Sequence, residues 1–124
     1  MRVREAVCLV AVFSSFSAFA AEGDPVQGKR QFAPCSACHT VGAGEPDKIG
    51  PNLHGIFGRT AGTKPGYAYS AAMKKAGFVW DAEKIETYIT KPLAFVPGNK
   101  MAFPGIPKDD ARANIIAYLK EATK

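Results

Sequence analysis

Apolar positions along this chain fall into short helical stripes separated by long segments with no period. From Asp109 to Ala122, residues Ile115, Ile116, Tyr118, Leu119 and Ala122 form an apolar face, and Asp109 and Asp110 favour a helix N-terminus. Ile85, Tyr88 and Ile89 repeat the pattern between Asp81 and Thr90, with Pro92 just past the end. Ser70 can cap a short helix running to Ala76, which Gly77 would end. Asp24-Pro25-Val26-Gln27 has the form of a capping box that starts another helix, with Gly28 and Phe32 on one face. Pro34 is expected to end that helix.

Between these helices lie two aperiodic stretches. Residues 41–69 are rich in glycine and proline and too long for a simple connection. A segment like this needs something to pack on. A second loop runs from Phe95 to Gly105. No strand-like alternation is evident, and the expected class is all-α.

The N-terminal residues follow a different logic. Arg2 and Arg4 precede a largely apolar run over residues 6–19, and Ala18-Phe19-Ala20 has the small-x-small form of a cleavage site. This is the three-part pattern of a cleavable secretory signal peptide over residues 1–20, and it points to a bacterial periplasm. An uncleaved anchor is the alternative. Residues 21–124 are then one domain, with a modest protein core for their number. Cleavage would remove Cys8 and lower the net charge from +5 to +4, through loss of Arg2, Arg4 and Glu5. That mild basicity suits an acidic protein partner. It argues against nucleic acid, because the chain has no dense Lys/Arg stripe.

The chemistry concentrates at Cys35-Ser36-Ala37-Cys38-His39, a C-x-x-C-H sequence of the kind that attaches a c-type haem. Two thiols one helical turn apart can each add to a haem vinyl group, and the adjacent imidazole can then reach the iron. A redox dithiol or half of a zinc site would also show C-x-x-C. A dithiol is expected near a βαβ pattern, which is absent, and zinc needs four ligands that the chain hardly supplies. His39 would fill one axial position. The second could stay open or be taken by Met73, Met101 or His54. Met101 lies in a loop between prolines, where the backbone can direct its sulfur. Met73 falls in an expected helix, where methionine is more often core packing.

Around this motif the chain resembles the class I cytochromes c, close to the mitochondrial type and the bacterial cytochromes c2. The resemblance runs from Gly23 to the C-terminus. It rests on Cys35 to Val41, Gly50-Pro51-Asn52-Leu53-His54-Gly55, Gly58-Arg59, Pro97 to Phe103 and Ile116 to Lys120. It implies a small all-α fold with crossing N- and C-terminal helices around one haem c, covalently attached through Cys35 and Cys38. It also implies that His39 and Met101 are the axial ligands. The Pro51 carbonyl would accept the other imidazole N–H, a bond that fixes the ring and strengthens its donation. Arg59, Tyr67, Tyr69 and Trp80 match positions that hold the haem propionates, and Asn99 stands where a threonine is frequent and could still donate to one. Tyr88 would lie beside the methionine sulfur, and Phe103 over the haem edge. Gly28 and Tyr118 match the helix crossing.

The function implied is that of a monomeric electron carrier rather than an enzyme. It would pass single electrons from a quinol-oxidising cytochrome complex to a terminal oxidase, reductase or photosynthetic reaction centre. Docking at the haem edge would be transient and salt-sensitive. Leu93 and Ala94 replace frequent lysines of the docking patch, leaving Lys29, Lys48, Lys91, Lys100 and Lys108 as candidates. A haem protein with a labile Met101, acting as a peroxidase or small-ligand binder, is the competing expectation.

Overall fold

The computed structural model describes residues 22–124. The signal peptide expected over residues 1–20, and its cleavage after Ala20, lie outside the described residues. Among the described residues there are six helices: α1 (Pro25–Gln31), α2 (Ala33–Ser36), α3 (Ala71–Lys75), α4 (Ala82–Thr90), α5 (Pro92–Phe95) and α6 (Asp109–Ala122). The only strand-like pairing among them is a single antiparallel bridge between Thr60 and Val79. No helix in this range is long and apolar enough to cross a membrane.

α1, α3 and α4 start where a side-chain cap dictates, whereas α6 begins after Lys108 with no side-chain cap. The Asp24 carboxylate accepts from the Val26 N–H at 2.8 Å, and Asp81 accepts from Lys84 N–H at 2.7 Å. Ser70 accepts from Met73 N–H at 3.1 Å at the start of α3. The capping box at Asp24 is only half formed. Its reciprocal donor, the Asp24 N–H, goes to the Asn114 side chain at 2.7 Å rather than to Gln27, because α6 lies close enough to compete.

The two prolines expected to follow helices begin new ones instead. α1 stops at Gln31, and Pro34 sits in the first turn of α2; Pro92 opens α5 in the same way. A proline in a first turn loses no intrahelical hydrogen bond, so it tolerates either role.

α1 crosses α6 at Gly28, where an added Cβ would run into the Asn114 carbonyl and lie 2.9 Å from the Tyr118 Cβ. The Phe32 and Tyr118 rings meet beside the crossing, with centroids 5.3 Å apart. Asn114 Nδ2 donates to Gln31 Oε1 at 3.1 Å. The core gathers Phe32 from α1's end, Ile85 and Ile89 from α4, and Ile115, Ile116 and Leu119 from α6. Arg112, only 7% exposed, is the exception on α6. It donates to the Ile106 carbonyl at 2.8 Å, pairs with Asp109, and approaches Glu86 of α4. A buried guanidinium needs such partners, and here they tie the second loop to α4 and α6.

Candidate functional site

The two aperiodic stretches close around a cavity of about 340 Å³ whose floor is the helical core. Phe32, Ile85, Ile89, Ile115 and Leu119 form that floor, so the helices bury one face against each other and leave another to the cavity. Cys35 on α2, with Cys38 and His39 just after it, lines one side, and Met101, Ala102 and Phe103 line it from the second loop. Tyr67, Tyr69, Met73, Trp80 and Tyr88 complete much of the wall.

The attachment segment is held by the loop that follows it. The Gly50 N–H donates to the Cys38 carbonyl and the Leu53 N–H to the Thr40 carbonyl, each at 2.9 Å. His39 Nδ1 donates to the Pro51 carbonyl at 2.7 Å. With that nitrogen engaged, Nε2 has the lone pair available to a metal. Burial pushes the His39 pKa down, partly opposed by the Pro51 hydrogen bond, so the neutral, metal-binding form is favoured. The Gly50 backbone packs on the imidazole: an added Cβ would lie 2.7 Å from Nδ1 and 2.8 Å from Nε2. Gly50 is thus required by His39, although nothing in a glycine 11 residues downstream signals it in the sequence.

Cys35 and Cys38 form no disulfide with each other. Burial pushes the Cys35 thiol pKa up. No group of three or more His, Cys, Asp or Glu side chains capable of holding a metal occurs among the described residues, so within them nothing completes a zinc tetrad around the two cysteines. His54 is half-buried, does not line the cavity, and its Nδ1 is buried without a partner. Met73 is buried on α3 and lines the cavity as part of the core.

The polar residues expected around the propionates divide. Trp80 is buried in the cavity wall, and Tyr69 lines it with its hydroxyl accepting from the Lys64 N–H at 3.3 Å, which leaves the hydroxyl proton free to donate. The Tyr67 hydroxyl instead donates to the Ile49 carbonyl at 2.6 Å, so its one proton is already committed. Asn99 also departs from expectation. Its Nδ2 donates to the Pro92 and Val96 carbonyls, each at 2.9 Å, and its Oδ1 accepts from the Met101 N–H at 2.7 Å. Buried at 8% exposure, Asn99 has no donor left for a propionate and fastens the Met101 loop to α5. Arg59 does not line the cavity, yet its Nη2 is buried with no partner. The backbone of Gly58 and Arg59 pairs with that of Trp80 at 2.8 and 2.9 Å, which sets the two side chains in one region.

These features fit a haem. The cavity is large and mostly apolar, as a porphyrin face requires, and an orphaned guanidinium nitrogen is what an anionic carboxylate would satisfy. Tyr88 is buried beside Trp80, their ring centroids 5.2 Å apart. Burial, with a smaller contribution from Tyr67, pushes the Tyr88 pKa up to about 12, so its hydroxyl keeps its proton.

The family model for cytochrome c matches residues 25–123. The chain belongs to the cytochrome c family. It is 48% identical over 102 residues to cytochrome c of Sesamum indicum, covering 82% of this chain and 92% of that one. It is 50% identical over 101 residues to cytochrome c2 of Agrobacterium tumefaciens (strain II Chrys), covering 79% and 91%. Among solved structures, cytochrome cH from Methylobacterium extorquens matches with a TM-score of 0.75 at 44% identity, covering 79% of this chain and 98% of that one. As a cytochrome c it has the all-α fold expected, carries covalently bound haem c in its C-x-x-C-H motif, and exchanges electrons with redox partners.

Proposed function

We propose that this cytochrome c is a periplasmic single-electron shuttle and not a catalyst, with Cys35 and Cys38 holding the haem, and His39 Nε2 and Met101 sulfur binding its iron. When bound, the haem supplies an iron that changes only its electron count between Fe(II) and Fe(III). The residues of the chain do the rest. His39 is presented as a neutral ligand with its ring locked by Pro51 and Gly50. Met101 is held at the opposite loop by Asn99. Tyr69, Trp80 and Arg59 are the groups available to the propionates. A thioether and an imidazole together raise the potential relative to more donating pairs, and two protein ligands leave no position for substrate.

The observation that carries this reading is that His39 and Met101, 62 residues apart, line one apolar cavity with both motif cysteines. The donor is proposed to be a quinol-oxidising membrane complex. The acceptor is proposed to be a terminal oxidase, reductase or reaction centre, reached at the cavity mouth, where Ile49 is 80% exposed.

An optical spectrum of the exported protein tests the proposal: oxidised, dithionite-reduced, then with carbon monoxide. Sharp reduced bands, a weak far-red sulfur-to-iron band when oxidised, and no response to carbon monoxide are expected. Rapid carbon monoxide binding would overturn Met101 as a stable ligand and favour the peroxidase or small-ligand reading.

A further inference from the structure

The Pro51–Asn52 peptide is gripped at both ends. Its carbonyl accepts from His39 Nδ1 at 2.7 Å, and its N–H donates to the Asp47 carboxylate, also at 2.7 Å. The carboxylate is itself paired: Lys64 Nζ lies 3.0 Å from each of its oxygens, and both side chains are 22% exposed. The geometry of the loop is set independently. Asn52 is buried at 4% exposure, its Nδ2 donates to the Gly42 and Glu45 carbonyls at 2.8 and 3.0 Å, and its Oδ1 accepts from His54 N–H at 2.9 Å. Asp47 therefore does not have to hold the loop by itself.

We propose that Asp47 is a positioning residue that tunes His39 through this one peptide group. A carboxylate accepting from an amide N–H draws the proton toward itself and leaves more negative charge on the carbonyl oxygen of the same peptide, since hydrogen bonds in a chain polarise one another. That oxygen then accepts more strongly from His39 Nδ1. The imidazole gains anionic character, becomes a better donor to an oxidised iron, and lowers the potential. Lys64 competes for the carboxylate charge and limits the effect. Arg59 and Tyr67 are the other titratable groups close enough to act on Asp47. Asp47 works this way only if His39 is the iron ligand, as proposed above.

Asp47→Asn tests the relay, because its side-chain oxygen can still accept from the Asn52 N–H but carries no charge. Proton NMR of the reduced haem protein reads the His39 Nδ1–H resonance, redox titration reads the potential, and hydrogen exchange reads the Asn52 amide. The first is expected to move upfield. The second is expected to rise by about threefold in the redox equilibrium constant, or about 28 mV for a one-electron couple. A shifted potential with an unmoved Nδ1–H resonance would mean through-space charge and overturn the relay. Faster Asn52 exchange with both other readouts unmoved would mean a structural clamp only, and would also overturn it. Lys64→Met leaves Asp47 in place and removes its cation, so it decides the matter if Asp47→Asn does not fold: both readouts are expected to move the opposite way, and an unmoved Nδ1–H overturns the relay. If the wild-type spectrum shows no histidine-ligated iron, the ligand proposal itself fails, a result distinct from a normal spectrum with an unresponsive Asp47→Asn.

Discussion

Asn99 and Met101 are joined by a hydrogen bond in which the Met101 N–H donates to the Asn99 side-chain oxygen at 2.7 Å, while the other end of the same amide is spent on α5. The sulfur-bearing loop has no period and no helix to orient it. A three-bond clamp from one buried amide does that work instead.

Replacing Asn99 with alanine should therefore destabilise the protein by about 2–4 kcal/mol, from three lost bonds and the buried groups they leave unpaired. The loop should also release Met101 more readily. Denaturant titration and the rate of carbon monoxide binding to the reduced protein measure the two effects. An unchanged rate would show that the loop is held by other contacts.

Gly50→Ala should damage the site more than the fold. The new methyl would occupy the space of the His39 ring, which is pinned by Pro51 and cannot swing away without losing that bond. The exported variant should show an altered or absent histidine-ligated spectrum while keeping α1 and α6 helical by circular dichroism.

At Gly28 two effects of known size oppose one another. Alanine is a better helix former than glycine by about 1 kcal/mol. Its methyl, however, would meet the Asn114 carbonyl, which is backbone and cannot yield. Overpacking costs about 1–3 kcal/mol even where side chains adjust, so the net effect of Gly28→Ala should be destabilising. A raised denaturation midpoint would contradict this.

Acid should loosen the loop that holds His39. The Asn52 N–H, then Lys64, keeps the Asp47 carboxyl below the usual carboxylate range. A folded-state pKa below the unfolded value of about 3.9 means that this contribution is fully present above the unfolded value and is lost as pH falls through the folded one. The stability difference between wild type and Asp47→Asn should shrink across that acid window. A difference independent of pH would rule out the ionised carboxylate as its source.

The helices were legible because their signals are local. Asp81, Ser70 and Asp24 cap the elements that begin beside them, and the stripes at Ile85-Tyr88-Ile89 and Ile115-Ile116-Leu119 needed only the helical period to be read. Cys35, Cys38 and His39 declare their chemistry within five consecutive residues, and their resemblance to a family carried the reading to Met101. The short helix α5 was missed, because Pro92 reads equally as an end or a beginning.

What only the tertiary structure decided is which partner each polar group finds. The Tyr67 proton goes to Ile49, the Asn99 amide to Pro92, Val96 and Met101, and the Asp47 carboxylate to Asn52 and Lys64. The need for glycine at 50 arises from an imidazole that arrives from elsewhere in the chain. A periodic stripe or a cap is set by neighbours along the backbone, so sequence determines it. A hydrogen bond inside an aperiodic loop depends on segments that meet only after folding, and no local spacing records that meeting.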